Sequence, residues 1–291
     1  KAFLTGINRV VKVNIGVQLL IYLSGHGRIF TEYWGAVRYQ GTFNDPNQLA
    51  FFLFMMILLL YLYRCRFGDR SFPVFYVLAL PVIAASKSTG ILLGVLIFTV
   101  LAVLHALYRV GCRKGVSMKV WILGSAIGVV LFGLFLWWIW PAADFDVKTV
   151  DYNMLTRIQE KIWKVAHGGL LGLFLDRGME KLVLYPQYLL YGAGEGGFDR
   201  FTLASQVNEI HCCLFSVMFC YGLIPTLCLL VWLGRKLRYA DAAMACAVMG
   251  LLAESFFLVN YRQPMFWMIL LYGSEVRMDR DGDRKPIPIA E

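Results

Sequence analysis

The chain has 291 residues, of which 59% are hydrophobic, 15% aromatic and 16% charged, with a formal net charge of +9. Soluble domains carry about 25% charged residues, and a mean hydropathy of +0.61 points away from them. These values describe an integral membrane protein and exclude a soluble enzyme, a secreted disulfide scaffold and a disordered chain.

Apolar runs predict eight spans in a single all-α polytopic membrane domain over residues 1–291, at 10–23, 47–63, 73–86, 90–108, 120–141, 210–233, 241–259 and 263–274. The first contains Lys12 and Asn14, and the third and eighth are short. With the N-terminus on the cytoplasmic side, the inner segments hold 17 of the 28 basic residues against seven acids, and the outer segments 11 basic residues against 11 acids. The positive excess therefore lies on one face, as membrane topology requires, and a nucleic-acid partner is not needed to explain it.

The first outer connection, 24–46, holds Arg38 and ends in Asp45-Pro46, which fits a capping residue followed by proline at the first helical position. Arg38 beside a helix N-terminus favours an anion. An interfacial arginine contacting lipid headgroups is the other reading. The next outer turn, Ser86-Lys87-Ser88-Thr89-Gly90, joins two spans almost without a loop. Its hydroxyls and amine could bind phosphate or sugar, although helix capping explains the hydroxyls more simply.

Residues 142–209 form a long outer insertion, and loops of this length are usually functional or disordered. The aromatic residues Trp163, Tyr188 and Tyr191 among apolar neighbours argue for order. Leu155–His167 is predicted as an amphipathic helix lying along the membrane surface, with Ile158, Ile162 and Val165 on one stripe and Arg157, Lys161 and Lys164 on another. A second helical piece is expected over Leu170–Leu184, with Arg177 facing outward. Gly192, Gly194, Gly196 and Gly197 then break the chain and allow a close backbone approach to a ligand or helix.

His211 stands where the insertion joins a span, and its ordinary pKa near about 6.5 suits a general base. Capping a helix is the plainer role. Glu209 is the rival base; the two share a side only if the segment is extended. Arg262 is a third outward arginine, and Glu254, inside a span, is a functional candidate or its partner.

The seven cysteines show no paired spacing for a disulfide framework. Cys212-Cys213 reads as small apolar filler before it reads as a redox pair. No CxxC or HxxxH spacing suggests a metal, and no cofactor is expected. The chain has no cleavable signal peptide and begins at Lys1, so N-terminal sequence is expected to precede it.

Five segments in order resemble the bacterial O-antigen polymerase and O-antigen ligase superfamily. Arg38-Tyr-Gln-Gly-Thr-Phe-Asn-Asp-Pro-Asn-Gln-Leu-Ala50 is similar to its RxxGxFxxPNxxA stretch, and Ser86–Gly90 to an SRG-like turn with Lys87 in place of arginine. Leu190–Gly196 resembles its LLxGxGxG stretch, Glu209-Ile-His211 its EIH motif, and Asn260–Trp267 a late RxPxFW element. The family usually has several more N-terminal spans. The resemblance implies a GT-C-like fold and metal-independent, inverting glycosyl transfer from an undecaprenyl-diphosphate-linked oligosaccharide. The site would face the periplasm in the bacterial inner membrane.

By that analogy His211 deprotonates the acceptor, Arg38 and Arg177 hold the leaving diphosphate, and Lys87 and Arg262 assist. The Glu-Ile-His form and the Asp-Arg-Gly run lean toward a repeat-unit polymerase of surface polysaccharide. Its partners would be membrane lipid and a chain-length regulator. The alternative is a ligase transferring the glycan to lipid A-core. A lipid-linked glycan transporter would show two related halves with a midplane site, and no internal repeat is visible.

Overall fold

The computed structural model describes residues 2–32, 37–115, 117, 120, 124, 128, 130, 133–135, 137–141, 145–146, 152–204 and 209–272. Ten residues of the expected span 120–141, Trp34, the basic C-terminal segment and residues 142–144, 147–151 and 205–208 of the insertion therefore lie outside the described residues. The protein is mostly helical, at 72%.

Helix α1 (Ala2–Leu23) runs beside α2 (Pro46–Phe67) and α3 (Phe72–Ala85). Asp45 begins α2 by accepting from the Asn47 and Gln48 amides, Pro46 occupies the first turn, and Gly68 ends it in the left-handed conformation (φ 76°). Buried side chains surround α2 on all sides, so it forms the axis of the bundle. Asp69, just beyond it, takes Lys12 Nζ at 2.5 Å and Asn8 Nδ2 at 3.0 Å and so pins α1 to the α2–α3 turn.

Helix α4 (Thr89–Lys114) packs along a later helix, α10 (Ala242–Ser255), where Gly94 faces Gly250. A Cβ on Gly94 would lie 2.9 Å from the Gly250 carbonyl oxygen, so only glycine permits this approach. Among the described residues, α2 and α4 are long and apolar enough to cross a membrane. The outward side of α4 exposes Val100, Val103, Leu104 and Leu107.

The other expected spans differ in length. Those at 73–86 and 241–259 are 14-residue helices, the first begins earlier, at Ala2, and the last, α11 (Pro264–Tyr272), has nine residues. The expected span 210–233 is interrupted. Helix α8 (Cys213–Tyr221) stops at Gly222 (φ 88°, ψ −179°), and α9 (Leu223–Tyr239) begins again in a new direction.

Two further elements carry the site. The first is an antiparallel hairpin that apolar periodicity did not predict, β1 (Arg28–Thr31) and β2 (Val37–Gly41), with Phe30 opposite Arg38. Gln18 Nε2 donates to Thr42 Oγ1 at 2.9 Å and Tyr22 meets Tyr39 edge-on at 5.1 Å, which fixes β2 against α1. The second is α5 (Met154–Asp176), begun by a reciprocal Asn153–Thr156 cap and kinked at Gly169 (φ 60°, ψ −165°). The kink falls between the two helical pieces read from the sequence. The second piece ends at Asp176, short of Leu184. Two single turns follow, α6 (Lys181–Leu184) and α7 (Tyr188–Tyr191).

Candidate functional site

Strand β2 carries Arg38 inward until it is 6% exposed. Its guanidinium donates from Nε to the Ser86 carbonyl (2.9 Å) and from Nη2 to Asn47 Oδ1 (2.8 Å), and pairs with Glu32 at 3.2 Å. These bonds join the hairpin to the start of α2 and the end of α3. Ser86 uses its own hydroxyl locally, donating to the Ile83 carbonyl at 2.6 Å. Lys87 adopts a positive φ of 51°. Its ammonium donates to the Val37 and Tyr152 carbonyls, both at 2.7 Å, and lies over the Tyr152 ring.

Helix α5 crosses above this turn. Arg157 pairs with Glu160 at 2.8 Å, and Lys161, one turn further, faces the same space. Arg177, at the end of α5, donates to the Phe257 carbonyl at 2.6 Å and stacks over the Phe257 ring at 5.0 Å. Arg38, Lys87, Arg157, Lys161, Arg177 and His211 thus line one cavity of about 200 Å³, and among the described residues no carboxylate lines it.

Five cations around so small a space repel one another, and their ionisation responds. Burial, then Arg38 and Arg157, push the Lys87 ammonium pKa down. Burial, then Arg157, push Lys161 down to about 8. Lys161 makes no hydrogen bond or ion pair among the described residues. An anion would relieve this repulsion and gain charge-assisted hydrogen bonds at once.

His211 lies in the extended segment before α8, outside the helix. Its backbone N–H donates to the Arg177 carbonyl at 2.9 Å, so the last turn of α5 holds it in place. Burial, with Arg177 and Lys181 adding to it, holds the imidazole below its ordinary pKa; Glu209 and Asp45 oppose this. The imidazole is therefore neutral at pH 7 and able to accept a proton. A second cavity, of about 300 Å³, lies on its other side, lined by Asp45, Gln48, Glu209, Asn260 and Gln263 with Phe43, Phe51 and Phe52. His211 and Asn47 belong to both cavities.

The structure therefore brings Arg38, Lys87, Arg177 and His211 to one space, and sets Glu209 in the second cavity, which His211 also lines. Arg262 lines neither cavity. It bridges Glu195 of the glycine-rich stretch and Glu209, with Tyr261 also donating to Glu195. Burial would raise the Glu195 pKa, but the hydrogen bonds from Tyr261, Tyr221 and Arg262 outweigh it and lower it. Glu254 does not pair with Arg262. It is fully buried and accepts from Asn260 Nδ2 at 2.5 Å, with the Ser255 hydroxyl at 3.4 Å.

Arg157 and Lys161 were not expected at the site. Their three- and four-residue spacing marked a cationic stripe, but the sequence reading turned that stripe toward the membrane surface instead of toward Arg38. Among the described residues no cluster of three or more His, Cys, Asp or Glu side chains could hold a metal ion. No protein family, curated protein or solved structure matches the chain.

Proposed function

We propose that the chain is a glycosyltransferase that moves a glycan from a polyprenyl-diphosphate carrier to an acceptor hydroxyl. It would work as a surface-polysaccharide repeat-unit polymerase, multi-pass in the bacterial inner membrane with its site at the periplasmic face. One observation carries the reading: five cationic side chains and a neutral histidine converge on one cavity at the end of an apolar bundle. A diphosphate leaving group needs its developing charge stabilised, and fixed guanidinium and ammonium groups supply that stabilisation.

The step balances with these residues alone. The acceptor hydroxyl gives its proton to the His211 imidazole while its oxygen bonds to the anomeric carbon. The bond from that carbon to the phosphate oxygen breaks, and the diphosphate leaves with the electron pair toward Lys161, Arg38 and Arg177. Attack opposite the leaving oxygen inverts the anomeric configuration. His211 borders both spaces, as a base serving this step must.

The test is in vitro polymerisation by the full-length protein in lipid, supplied with a polyprenyl-diphosphate-linked repeat unit and resolved on a gel. A ladder that disappears with His211→Ala supports the reading. A single transfer only when lipid A-core is added replaces polymerase with ligase. Unchanged activity in His211→Ala removes the histidine from the chemistry.

A further inference from the structure

The two cavities that meet at His211 have opposite charge. Among the described residues, five cations and no carboxylate line the first, while Asp45 and Glu209 and no lysine or arginine line the second. We infer that the second cavity is the acceptor subsite and that it selects an uncharged terminal sugar against an acidic one. The inference rests on the transferase reading and adds the acceptor's chemistry to it.

A phosphate placed in the second cavity would face carboxylates, so the diphosphate belongs in the first. In an inverting displacement the acceptor oxygen then approaches from the opposite side, past His211 and into the second cavity. Asn47, Gln48, Asn260 and Gln263 line that space. Gln48 and Gln263 each end in a planar amide with a donor and an acceptor side by side, which matches neighbouring sugar hydroxyls, while Asn47 Oδ1 already accepts from Arg38 and Asn260 Nδ2 donates to Glu254. Phe43, Phe51 and Phe52 supply apolar walls for the ring's C–H face. A volume of about 300 Å³ sits at the small end of ligand cavities.

The charge remains after the local bonds are counted. Arg262 is held between two carboxylates, Glu195 and Glu209, so one negative charge is left there. Asp45 uses its Oδ1 to accept from the Asn47 and Gln48 amides at 2.7 and 3.1 Å, and both of its partners are neutral amides that cancel no charge. A uronic acid would bring a third net negative charge into this group.

Two measurements on the full-length protein in nanodiscs separate the possibilities: isothermal titration of inorganic pyrophosphate, and saturation-transfer NMR of methyl N-acetylglucosaminide and methyl glucuronide. The neutral glycoside should bind with pyrophosphate already saturating, and the glucuronide about tenfold or more weaker. Gln263→Ala should weaken the neutral glycoside about tenfold and leave pyrophosphate binding unchanged. Asp45→Asn, which keeps a capping side chain, should narrow the gap between the two glycosides. Displacement of the neutral probe by pyrophosphate, equal or tighter glucuronide binding, or pyrophosphate binding without any glycoside binding would overturn the inference alone. Absence of pyrophosphate binding would remove the transferase reading and this one with it.

Discussion

Lys161 offers the most direct test of the cationic cavity, because burial and Arg157 bring its pKa down to about 8 while its arginine neighbours stay charged throughout. With that pKa, roughly 90% of Lys161 is charged at pH 7 and roughly 3% at pH 9.5. If only the charged form holds the anion, pyrophosphate affinity falls about 30-fold across that interval. The probe's own loss of a proton in alkali increases its negative charge and acts in the opposite direction, so a fall reports the protein. The assay is isothermal titration of inorganic pyrophosphate into the protein in nanodiscs at a series of pH values. Lys161→Arg should flatten the profile, since arginine does not titrate here. Flat wild-type affinity from pH 7 to 9.5, or an undiminished fall in Lys161→Arg, would refute the reasoning.

The same residue gives an independent check on stability. An unfolded lysine titrates near about 10.4, so between about pH 8 and that value the unfolded chain holds a proton that the folded chain has released. Stability should therefore rise with pH in this window. Lys161→Met removes the buried charge and should stabilise the fold by up to roughly 3 kcal/mol while weakening pyrophosphate binding.

Three further substitutions, one of them a control, probe how the elements around the site are held. In Gly222→Ala the new Cβ would sit 2.5 Å from the Leu190 carbonyl oxygen at a φ of 88°, costing at least about 3 kcal/mol. A thiol-reactive dye reporting exposure of the buried Cys212, Cys213 and Cys220 should show melting roughly 6–12 °C lower. Gly6→Ala, with nothing within 4 Å, should melt unchanged or slightly higher. Arg262→Ala leaves Glu195 and Glu209 without their shared cation and should lower kcat in the polymerisation assay about tenfold, with pyrophosphate affinity unchanged. A matching loss of pyrophosphate affinity would instead place Arg262 on the anion.

The elements that were legible in the sequence carry their own local instructions. Asp45-Pro46 and Gly68 bound α2 because a capping carboxylate, a proline in the first turn and a left-handed glycine act within a few residues of where they stand. The kink of α5 was legible for the same reason, at Gly168-Gly169. What escaped depends on contacts distant in sequence. Gly222 lies inside an apolar run that reads as one span, and the break follows from its packing against the Leu190–Gly192 backbone. The hairpin strands, of four and five residues, are too short to show a period. The stripe of Arg157 and Lys161 was visible, but its orientation depends on Tyr152 and Lys87 meeting across the α5 approach.

The insertion does more than cover the cavity. Three of its five cations, Arg157, Lys161 and Arg177, belong to α5 or the residue that ends it, and the Arg177 carbonyl also holds the His211 backbone at 2.9 Å. Anion and base are thus attached to one element, and the charges that attract the anion are among those that depress the base. Burial, with the field of Arg177 and Lys181 adding to it, makes the protonated form of His211 costly, which keeps the imidazole ready to accept a proton. A bound diphosphate offsets that field, and by linkage it must raise the histidine's proton affinity as much as histidine protonation strengthens the diphosphate's binding. Under the transferase reading, the base becomes stronger when the leaving group is in place. Proton uptake and charge departure then reinforce each other on either side of one imidazole.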